Sequence, residues 1–436
     1  MPYNIILGRS ESDKEKFGDK GLIYLGKGYV KMGTSTSLSN KIYLDVARSH
    51  VILIGGKRGS GKSYSLAAIA EELSNLPKET SQNIASLIFD TMGIFWTMKY
   101  KNEKEKPLLS KWDLEAKSLP VKVFIPFGKA EEYTEKGIPF DEKFAIKISE
   151  LDAEDWISLF NLPINSLPAV LIERTIDELK TKLAEFTLEE IQMLIEHDKK
   201  SSNEVKEIAS SLFSAADTWG IFSKEVEGTE ISNLISRGTT TVLDTSVYAS
   251  MGSYNIRALV ISLVCKKLFK TRMDARKKEE MDAISHGQDY LSYNESREEP
   301  LIWLFVDEAH EFIQKDTITP ATYALQQLLR EGRQPGISLV LATQQLGQIH
   351  KDALTQADIV ISHRVTSKPD VEALNEIMQS YLSTDIKKEM DDLPTEKGSA
   401  IILDDNSERI YPLRIRPRFT WHGGESPTAV KAELKL

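Results

Sequence analysis

The feature that most constrains this chain is an eight-residue run from Gly56 to Ser63, which reads Gly-Lys-Arg-Gly-Ser-Gly-Lys-Ser. It matches the pattern G-x-x-x-x-G-K-[ST] in full. An apolar run at 51–54 precedes it, and a helical pattern over 63–76 follows it. Glycines let such a loop wrap phosphate oxygens, which its backbone N–H groups and the helix N-terminus then bind. A glycine-rich turn without a ligand would need neither flank, so the sequence predicts a phosphate-binding loop.

The residue types in this loop suit a magnesium nucleotide. Lys62 is predicted to reach the β- and γ-phosphates, and the Ser63 hydroxyl to ligate Mg²⁺. The residues predicted to bind the nucleotide in this run are Gly56, Gly59, Ser60, Gly61, Lys62 and Ser63.

A second signal is the apolar run at 301–306, which ends in Asp307 and Glu308. Asp307 is predicted to hold the Mg²⁺ shell, and Glu308 to act as general base on the attacking water. A strand that ends in two acids is also a common surface feature, so this inference depends on the loop in the same chain. The nearby His310 is more simply explained as a structural residue of the turn.

Four further residues are candidates for the site. Gln344 follows an apolar run at 337–341 and is suited to sense a γ-phosphate or position water, although a strand-end cap explains it too. Arg330 and Arg333 close a predicted helix, where basic residues complement the dipole; in a ring ATPase, one such arginine can reach a neighbour's γ-phosphate. Asp90 ends another buried strand and is a candidate nucleotide contact if that strand lies beside the loop.

Strands and helices alternate along most of the chain, which predicts an α/β fold with a mostly parallel sheet of seven or eight strands. Short strands are expected at 22–24, 29–32 and 41–44. The expected division is a short N-terminal β-element at 1–46, a core at 47–125 and 236–415, a helical insertion at 126–235 and a C-terminal tail at 416–436.

Composition narrows the class of protein. Cys265, the only cysteine of the 436 residues, lies in an apolar stretch, which excludes an intramolecular disulfide and favours a cytoplasmic protein. No apolar run approaches a membrane span. The net charge of −10 argues against a basic coat for nucleic acid, yet a basic pore is compatible with an acidic body. A solvated basic face is the expected place of Lys266, Lys267, Lys270 and Arg272.

The order of these parts resembles the HerA-like branch of the HerA/FtsK superfamily of P-loop NTPases, over about residues 22–415. The segments that carry the resemblance are GGKRGSGKS, LIFDTMGIFW, TTTVLDTS, LIWLFVDEAHEF, LREGRQPGISLVLATQQ and IVISHRV. R-E-G-R followed by a strand ending in A-T-Q is more specific to this branch than the loop itself. Two departures are a lead-in of only about 46 residues, where relatives have a longer β-barrel, and an Asp90 turn without the acid that often follows.

The resemblance implies a RecA-like core, ATP and Mg²⁺ as cofactors, and a homohexameric ring that translocates on double-stranded DNA. It also implies a NurA-type nuclease partner in some members. Carried over by position, it implies Lys62 and Ser63 on nucleotide and Mg²⁺, and Asp307 on Mg²⁺. Implied as well are Glu308 as base, Gln344 as sensor, and Arg330 or Arg333 as the arginine acting in trans.

Three other functions are compatible with parts of the sequence. A two-lobed DEAH-box helicase is disfavoured because too few residues follow Asp307 for a second motor lobe. A ring ATPase that moves protein, and a nucleotide-dependent switch with little turnover, stay open as alternatives. Stimulation of ATP hydrolysis by DNA would separate the DNA motor from both.

Overall fold

The computed structural model of the chain describes residues 3–32, 35–224, 228–249, 254–292, 294–378, 386–425 and 429. Within these ranges the strands are β1 Ile5–Leu7, β2 Leu22–Met32, β3 Ser35–Asp45, β4 Val51–Gly55, β5 Ile84–Asp90, β6 Val121–Pro126, β7 Glu142–Phe144, β8 Thr240–Asp244, β9 Leu301–Val306, β10 Ile337–Thr343, β11 Ile359–His363, β12 Ser399–Asp404 and β13 Arg409–Ile415.

The helices of the same ranges are α1 Glu11–Phe17, α2 Lys62–Ser74, α3 Lys78–Ser81, α4 Lys106–Lys111, α5 Ala130–Glu135, α6 Ala153–Leu159, α7 Leu167–Lys182, α8 Leu188–His197, α9 Asn203–Asp217, α10 Ile231–Leu234, α11 Tyr254–His286, α12 Thr322–Glu331, α13 Lys351–Thr355, α14 Lys368–Met378 and α15 Ile386–Asp391. None of these helices is long and apolar enough to cross a bilayer.

The described strands form one sheet in the order β1-β3-β2-β13-β12-β11-β4-β10-β9-β5-β8-β6-β7. From β11 to β7 every pair is parallel, whereas β11-β12, β12-β13, β13-β2 and β2-β3 are antiparallel. The predicted α/β class with a mostly parallel sheet is therefore confirmed. The expected seven or eight strands are too few, because the N-terminal strands β1 to β3, together with β7 and β13, belong to the same sheet.

The N-terminal strands are longer than predicted. The segments expected at 22–24 and 29–32 belong to a single strand, β2, whose pairing with β3 shifts register between Tyr24 and Gly26 and again between Lys27 and Tyr29. The glycines hide the strand from a pattern search, since they break its alternation while permitting bulges. A side chain at Gly26 would lie 2.2 Å from the Arg414 carbonyl oxygen, so β2 and β13 approach closely there.

Two apolar layers cover the central strands, one on each face. Ile52 and Ile54 of β4 pack with Leu66 of α2 on the first face, and Val51 and Leu53 pack on the second face, where α11 and α12 lie. Burial on both faces explains the uninterrupted apolar runs of these strands. Helices α6 to α9 form a further cluster that contacts α11 through α6.

The basic residues of α11 are not all on a solvated face. Lys266 and Lys267 form ion pairs with Asp155 and Glu150, at 2.8 Å for the first pair. Arg272, expected among them, is buried: its Nε donates to the Pro335 carbonyl oxygen at 2.9 Å. The expectation of solvent exposure is wrong for Arg272, because its guanidinium donates to the buried carbonyl oxygens of Pro335 and Glu299.

The segment that follows β13 is buried against α2. Arg416 and Arg418 are fully buried, and each places a guanidinium nitrogen 3.0 Å from the Glu71 carboxylate. The backbone N–H groups of Phe419 and Thr420 also donate to this carboxylate. Burial alone would raise the pKa of Glu71, but the two guanidinium groups hold it below its usual value. Residues 416–420, the start of the expected tail, are thus bound to the helix that follows the phosphate loop; we call them the α2 strap.

Candidate active site

The phosphate loop, residues 56–63, joins β4 to α2 and depends on glycines at both ends. A side chain at Gly56 would lie 2.5 Å from Ser60 Oγ and 2.7 Å from His363 Cβ, so only glycine fits there. Gly61 is the N-cap of α2 and has a φ of 110°, which β-carbon-bearing residues rarely adopt. The loop is therefore held closed by its own backbone, and α2 starts with free N–H groups that point towards it.

The middle of the loop combines an open rim with a buried lysine. Gly59 has a φ of 75° and no atom within 4 Å of the place of a side chain. Ser60 Oγ is buried and has no hydrogen-bond partner among the described residues. Lys62 is buried, its Nζ donates to the Lys57 carbonyl oxygen at 3.3 Å, and burial lowers its pKa. A buried lysine with a single weak acceptor is suited to bind phosphate oxygens.

Ser63 and Asp307 meet across strand β10. Ser63 Oγ donates to Asp307 Oδ2 at 2.7 Å, although 244 residues separate them in the chain. Burial raises the pKa of Asp307, while the Ser63 hydroxyl opposes that rise. A hydroxyl and a carboxylate side by side fit Mg²⁺, which takes one or two protein oxygens and completes its shell with water and phosphate.

Glu308 has the properties of a general base. Its backbone is left-handed, with a φ of 51° and a ψ of 42°, a conformation that residues other than glycine seldom adopt. Its Oε2 is buried without a hydrogen-bond partner in the described structure, and His310 Nδ1 lies 3.5 Å away. Burial and the neighbouring Asp307 raise the pKa of Glu308 to about 7, and burial lowers that of His310 to about 4. An unpaired carboxylate of this pKa can take a proton near neutral pH.

Gln344 lies between the phosphate loop and the Asp307 turn. Strand β10 runs between β4 and β9, and its last residue, Thr343, pairs with Gly55 at the start of the loop. Gln344 comes next and is half-buried. It therefore stands at the same sheet edge as the loop and Asp307.

The two candidate arginines lie away from the loop of their own chain. Arg330 is paired with Asp352 at 2.6 Å, and Arg333 with Asp358 at 2.7 Å. Arg333 Nε also donates to the carbonyl oxygen of Ser49, which lies just before β4, so this side chain is at the amino edge of the sheet. Both side chains are more than half exposed. Arg333 therefore lies at the sheet edge opposite to the phosphate loop of its own chain.

Asp90 does not lie beside the phosphate loop, so the condition on which its nucleotide contact was predicted is not met. Strands β10 and β9 separate β5 from β4. The Asp90 carboxylate accepts three N–H groups of its own turn, from Met92, Gly93 and Phe95, at 3.1, 2.7 and 2.8 Å. It faces Asp244 of β8, and burial together with that carboxylate raises the pKa of Asp90 well above its usual value.

Two residues near the site escaped the sequence reading. His363 ends β11 and is buried beneath the loop, 2.8 Å from Ser65 Oγ. The rule that selected Gln344, a polar residue at the end of a buried strand, would also have selected it. Arg257 of α11 is buried and pairs with Glu311 at 2.8 Å, and no local pattern indicates this contact.

The fold and the site together define a P-loop NTPase. Residues 28–268, more than half of the chain, match the family described as "Helicase HerA, central domain" (DUF87). The chain belongs to this family and is an ATPase of the helicase and translocase type.

The relatives agree with this assignment. The "DNA double-strand break repair helicase HerA" of Saccharolobus solfataricus is 22% identical over 385 residues, which are 87% of this chain and 67% of that protein. VirB4 of Thermoanaerobacter pseudethanolicus has a similar structure, with a TM-score of 0.56, 13% identity, and 92% and 98% of the two chains covered. The bacterial conjugative coupling protein TrwBΔN70 gives 0.51 at 13% identity, over 96% and 94%. These structures confirm the RecA-like P-loop fold.

Proposed function

We propose that this protein hydrolyses ATP with Mg²⁺ and uses the energy to translocate on double-stranded DNA as a homohexameric ring. The observation that carries the hydrolytic part is the contact between Ser63 Oγ and Asp307 Oδ2, next to Glu308, whose Oε2 has no hydrogen-bond partner among the described residues. In this proposal residues 47–125 and 236–415 form the ATPase core, 126–235 form an insertion, and 1–46 form an N-terminal β-element.

The residues of the loop bind and orient the nucleotide. Lys62 and the N–H groups at the start of α2 hold the phosphates, with Gly56, Gly59, Ser60 and Gly61 shaping the loop around them. Ser63 and Asp307 would hold Mg²⁺, which neutralises charge on the β- and γ-phosphates when it is bound.

Glu308 moves the proton in the hydrolytic step. Its carboxylate takes a proton from the attacking water as the bond between the water oxygen and the γ-phosphorus forms. The bond from that phosphorus to the β,γ-bridging oxygen breaks, and ADP leaves with its electron pair. Gln344, at the same edge, is placed to orient the water or to contact the γ-phosphate. Asp90 has no part in this step, because its carboxylate is occupied by its own turn.

A ring supplies what one chain lacks. Arg330 and Arg333 are exposed at an edge of the core away from their own loop. A neighbouring subunit that presents its loop to this surface would receive one of these arginines at the γ-phosphate, where positive charge stabilises the transition state. A NurA-type nuclease partner and a cytoplasmic location stay predictions.

The DNA substrate is supported by the family and by the name of the S. solfataricus relative. One observation favours a second candidate, a ring motor that acts on protein: the net charge of −10. A nucleotide-dependent switch with little turnover is the third possibility, and the activated site around Glu308 argues against it.

The test compares the ATPase rate with and without linear duplex DNA across a salt series, alongside the mass of the oligomer. We expect a hexamer whose hydrolysis DNA stimulates, more strongly at low salt because phosphate contacts release counterions. Glu308→Gln should bind ATP normally and lose hydrolysis by about a hundredfold. A monomer whose hydrolysis is indifferent to DNA would falsify the translocase proposal, and unchanged hydrolysis by Glu308→Gln would remove Glu308 as the base.

A further inference from the structure

We propose that His363 is a positioning residue for the phosphate loop: its neutral ring forms the seat that holds the loop and the first turn of α2 in the shape that binds phosphate. This inference rests on the proposed nucleotide site and adds a residue from β11 to it. His363 touches neither nucleotide nor metal ion in this proposal, and it acts through the loop.

Both ring nitrogens of His363 are used, and each has a defined role. Nδ1 lies 3.0 Å from the carbonyl oxygen of Ser399, which only accepts, so Nδ1 carries the proton. Nε2 lies 2.8 Å from Ser65 Oγ and accepts from that hydroxyl. Ser65 is in the first turn of α2, three residues after Lys62. The ring therefore joins the helix that binds phosphate to strand β12 on the other side of β11.

The loop also rests on His363 by shape. The Gly56 position approaches His363 Cβ so closely that an added side chain would meet it at 2.7 Å, and the Gly61 position lies 3.6 Å from Cε1 by the same measure. The next residue, Arg364, accepts the Lys57 N–H on its carbonyl oxygen at 3.1 Å. The end of β11 thus contacts the beginning, the turn and the end of the loop.

The state of the ring agrees with this role. His363 is completely buried, and burial lowers its pKa to about 4. The ring is therefore neutral near pH 7, as the two hydrogen bonds require, and it brings no second positive charge beside Lys62. A histidine that only stabilises the fold would be equally buried and neutral. Measurements of nucleotide binding must therefore distinguish a positioning role from a role in stability alone.

The experiment measures the Kd for ATP in the presence of Mg²⁺, kcat and KM, and the thermal midpoint, on the full chain. His363→Phe removes both hydrogen bonds and keeps an aromatic ring of similar size. We expect its Kd and KM to rise about tenfold, the effect of one to two lost hydrogen bonds, with a smaller change in kcat. His363→Gln keeps an acceptor within reach of Ser65 Oγ and should recover most of the affinity.

A double-mutant cycle and a matched control sharpen the test. Ser65→Ala should weaken binding by itself and add little to His363→Phe, because both changes remove the same contact. His197→Phe makes the same substitution at an exposed histidine of α8 and should leave Kd unchanged. If His363→Phe does not fold, the Gln and Ser65→Ala variants carry the comparison.

The outcomes separate this inference from the proposed function. A folded His363→Phe with a lower thermal midpoint and the Kd of the wild type would overturn the inference, and so would additive effects in the cycle. Absence of ATP binding by the wild-type protein would instead remove the proposed nucleotide site, and the positioning role with it.

Discussion

Asp307 and Asp90 end two neighbouring parallel strands, β9 and β5, and both are fully buried, yet their carboxylates are used in opposite ways. Asp307 Oδ1 accepts the N–H of Glu308, and its Oδ2 stays available for the Ser63 hydroxyl at 2.7 Å. Asp90 spends both oxygens on the N–H groups of its own turn. The turn after the strand, and not the strand itself, therefore decides whether a strand-end aspartate serves chemistry or structure.

The largest expected difference is in hydrolysis. Asp307→Asn keeps the size of the side chain and removes the charge that Mg²⁺ requires, so kcat should fall by about a hundredfold while the unfolding midpoint stays near that of the wild type. Asp90→Asn is the matched change on the adjacent strand and should leave kcat of the folded protein almost unaltered. Equal losses of kcat in the two variants would contradict the assignment of Asp307 to hydrolysis and of Asp90 to structure.

The reverse difference should appear in stability. Asp90→Ala leaves the N–H groups of Met92, Gly93 and Phe95 without their acceptor, which should lower the free energy of unfolding by about 2 kcal/mol. Denaturant titration measures this change. The exposed Asp217→Ala is the control and should shift stability little. An unfolding free energy for Asp90→Ala equal to that of the wild type would contradict the structural role.

The pH dependence of hydrolysis tests the residue next to Asp307. Glu308 acts as base only when it is ionised, and its pKa is raised to about 7. The rate should therefore rise with pH, be about tenfold below its plateau near pH 6, and level off above about pH 8. A profile of kcat/KM against pH, which reports the pKa values of the free enzyme, checks this, and the residual activity of Glu308→Gln should lack the slope. A wild-type rate that is flat over this range would exclude Glu308 as the titrating base.

The smallest expected effect concerns the acid that faces Asp90. The pKa values of Asp244 and Asp90 are raised, chiefly by burial, so the folded state binds protons more tightly than the unfolded chain, and stability should fall as pH rises above about 4. Asp244→Asn removes one charge and keeps an oxygen for the Ser246 N–H. It should raise stability near neutral pH by about 1 kcal/mol and flatten the pH dependence. The free energy of unfolding at two pH values measures the gain and its pH dependence. An equal loss of stability at both pH values would contradict a repulsion between the carboxylates of Asp90 and Asp244.

The site was predictable from sequence wherever its residues are local. The phosphate loop is contiguous, and its flanking strand and helix are coded by neighbouring residues. The placement of Asp307 and Gln344 at one edge also follows, because parallel strands all end on the same side of a sheet. These parts needed no knowledge of which strands pair.

The predictions that the structure contradicts concern residues whose position depends on contacts between distant segments of the chain. The order of strands placed β10 and β9 between Asp90 and the loop, and no local signal reports that order. Arginine is usually a surface residue, but Arg272 is buried, and it donates hydrogen bonds to the carbonyl oxygens of Pro335 and Glu299 in two later segments. Long-range hydrogen bonds of this kind override the local preference of the residue.

The α2 strap, residues 416–420, affects the order in which the protein folds during synthesis. Glu71 belongs to the helix of the phosphate loop, but its partners Arg416 and Arg418 lie 345 and 347 residues further along the chain. A buried carboxylate without its guanidinium groups is strongly destabilised. We therefore expect α2 to reach its final packing only after residue 418 has left the ribosome, so that the segment containing the phosphate loop is synthesised early and completes its folding late.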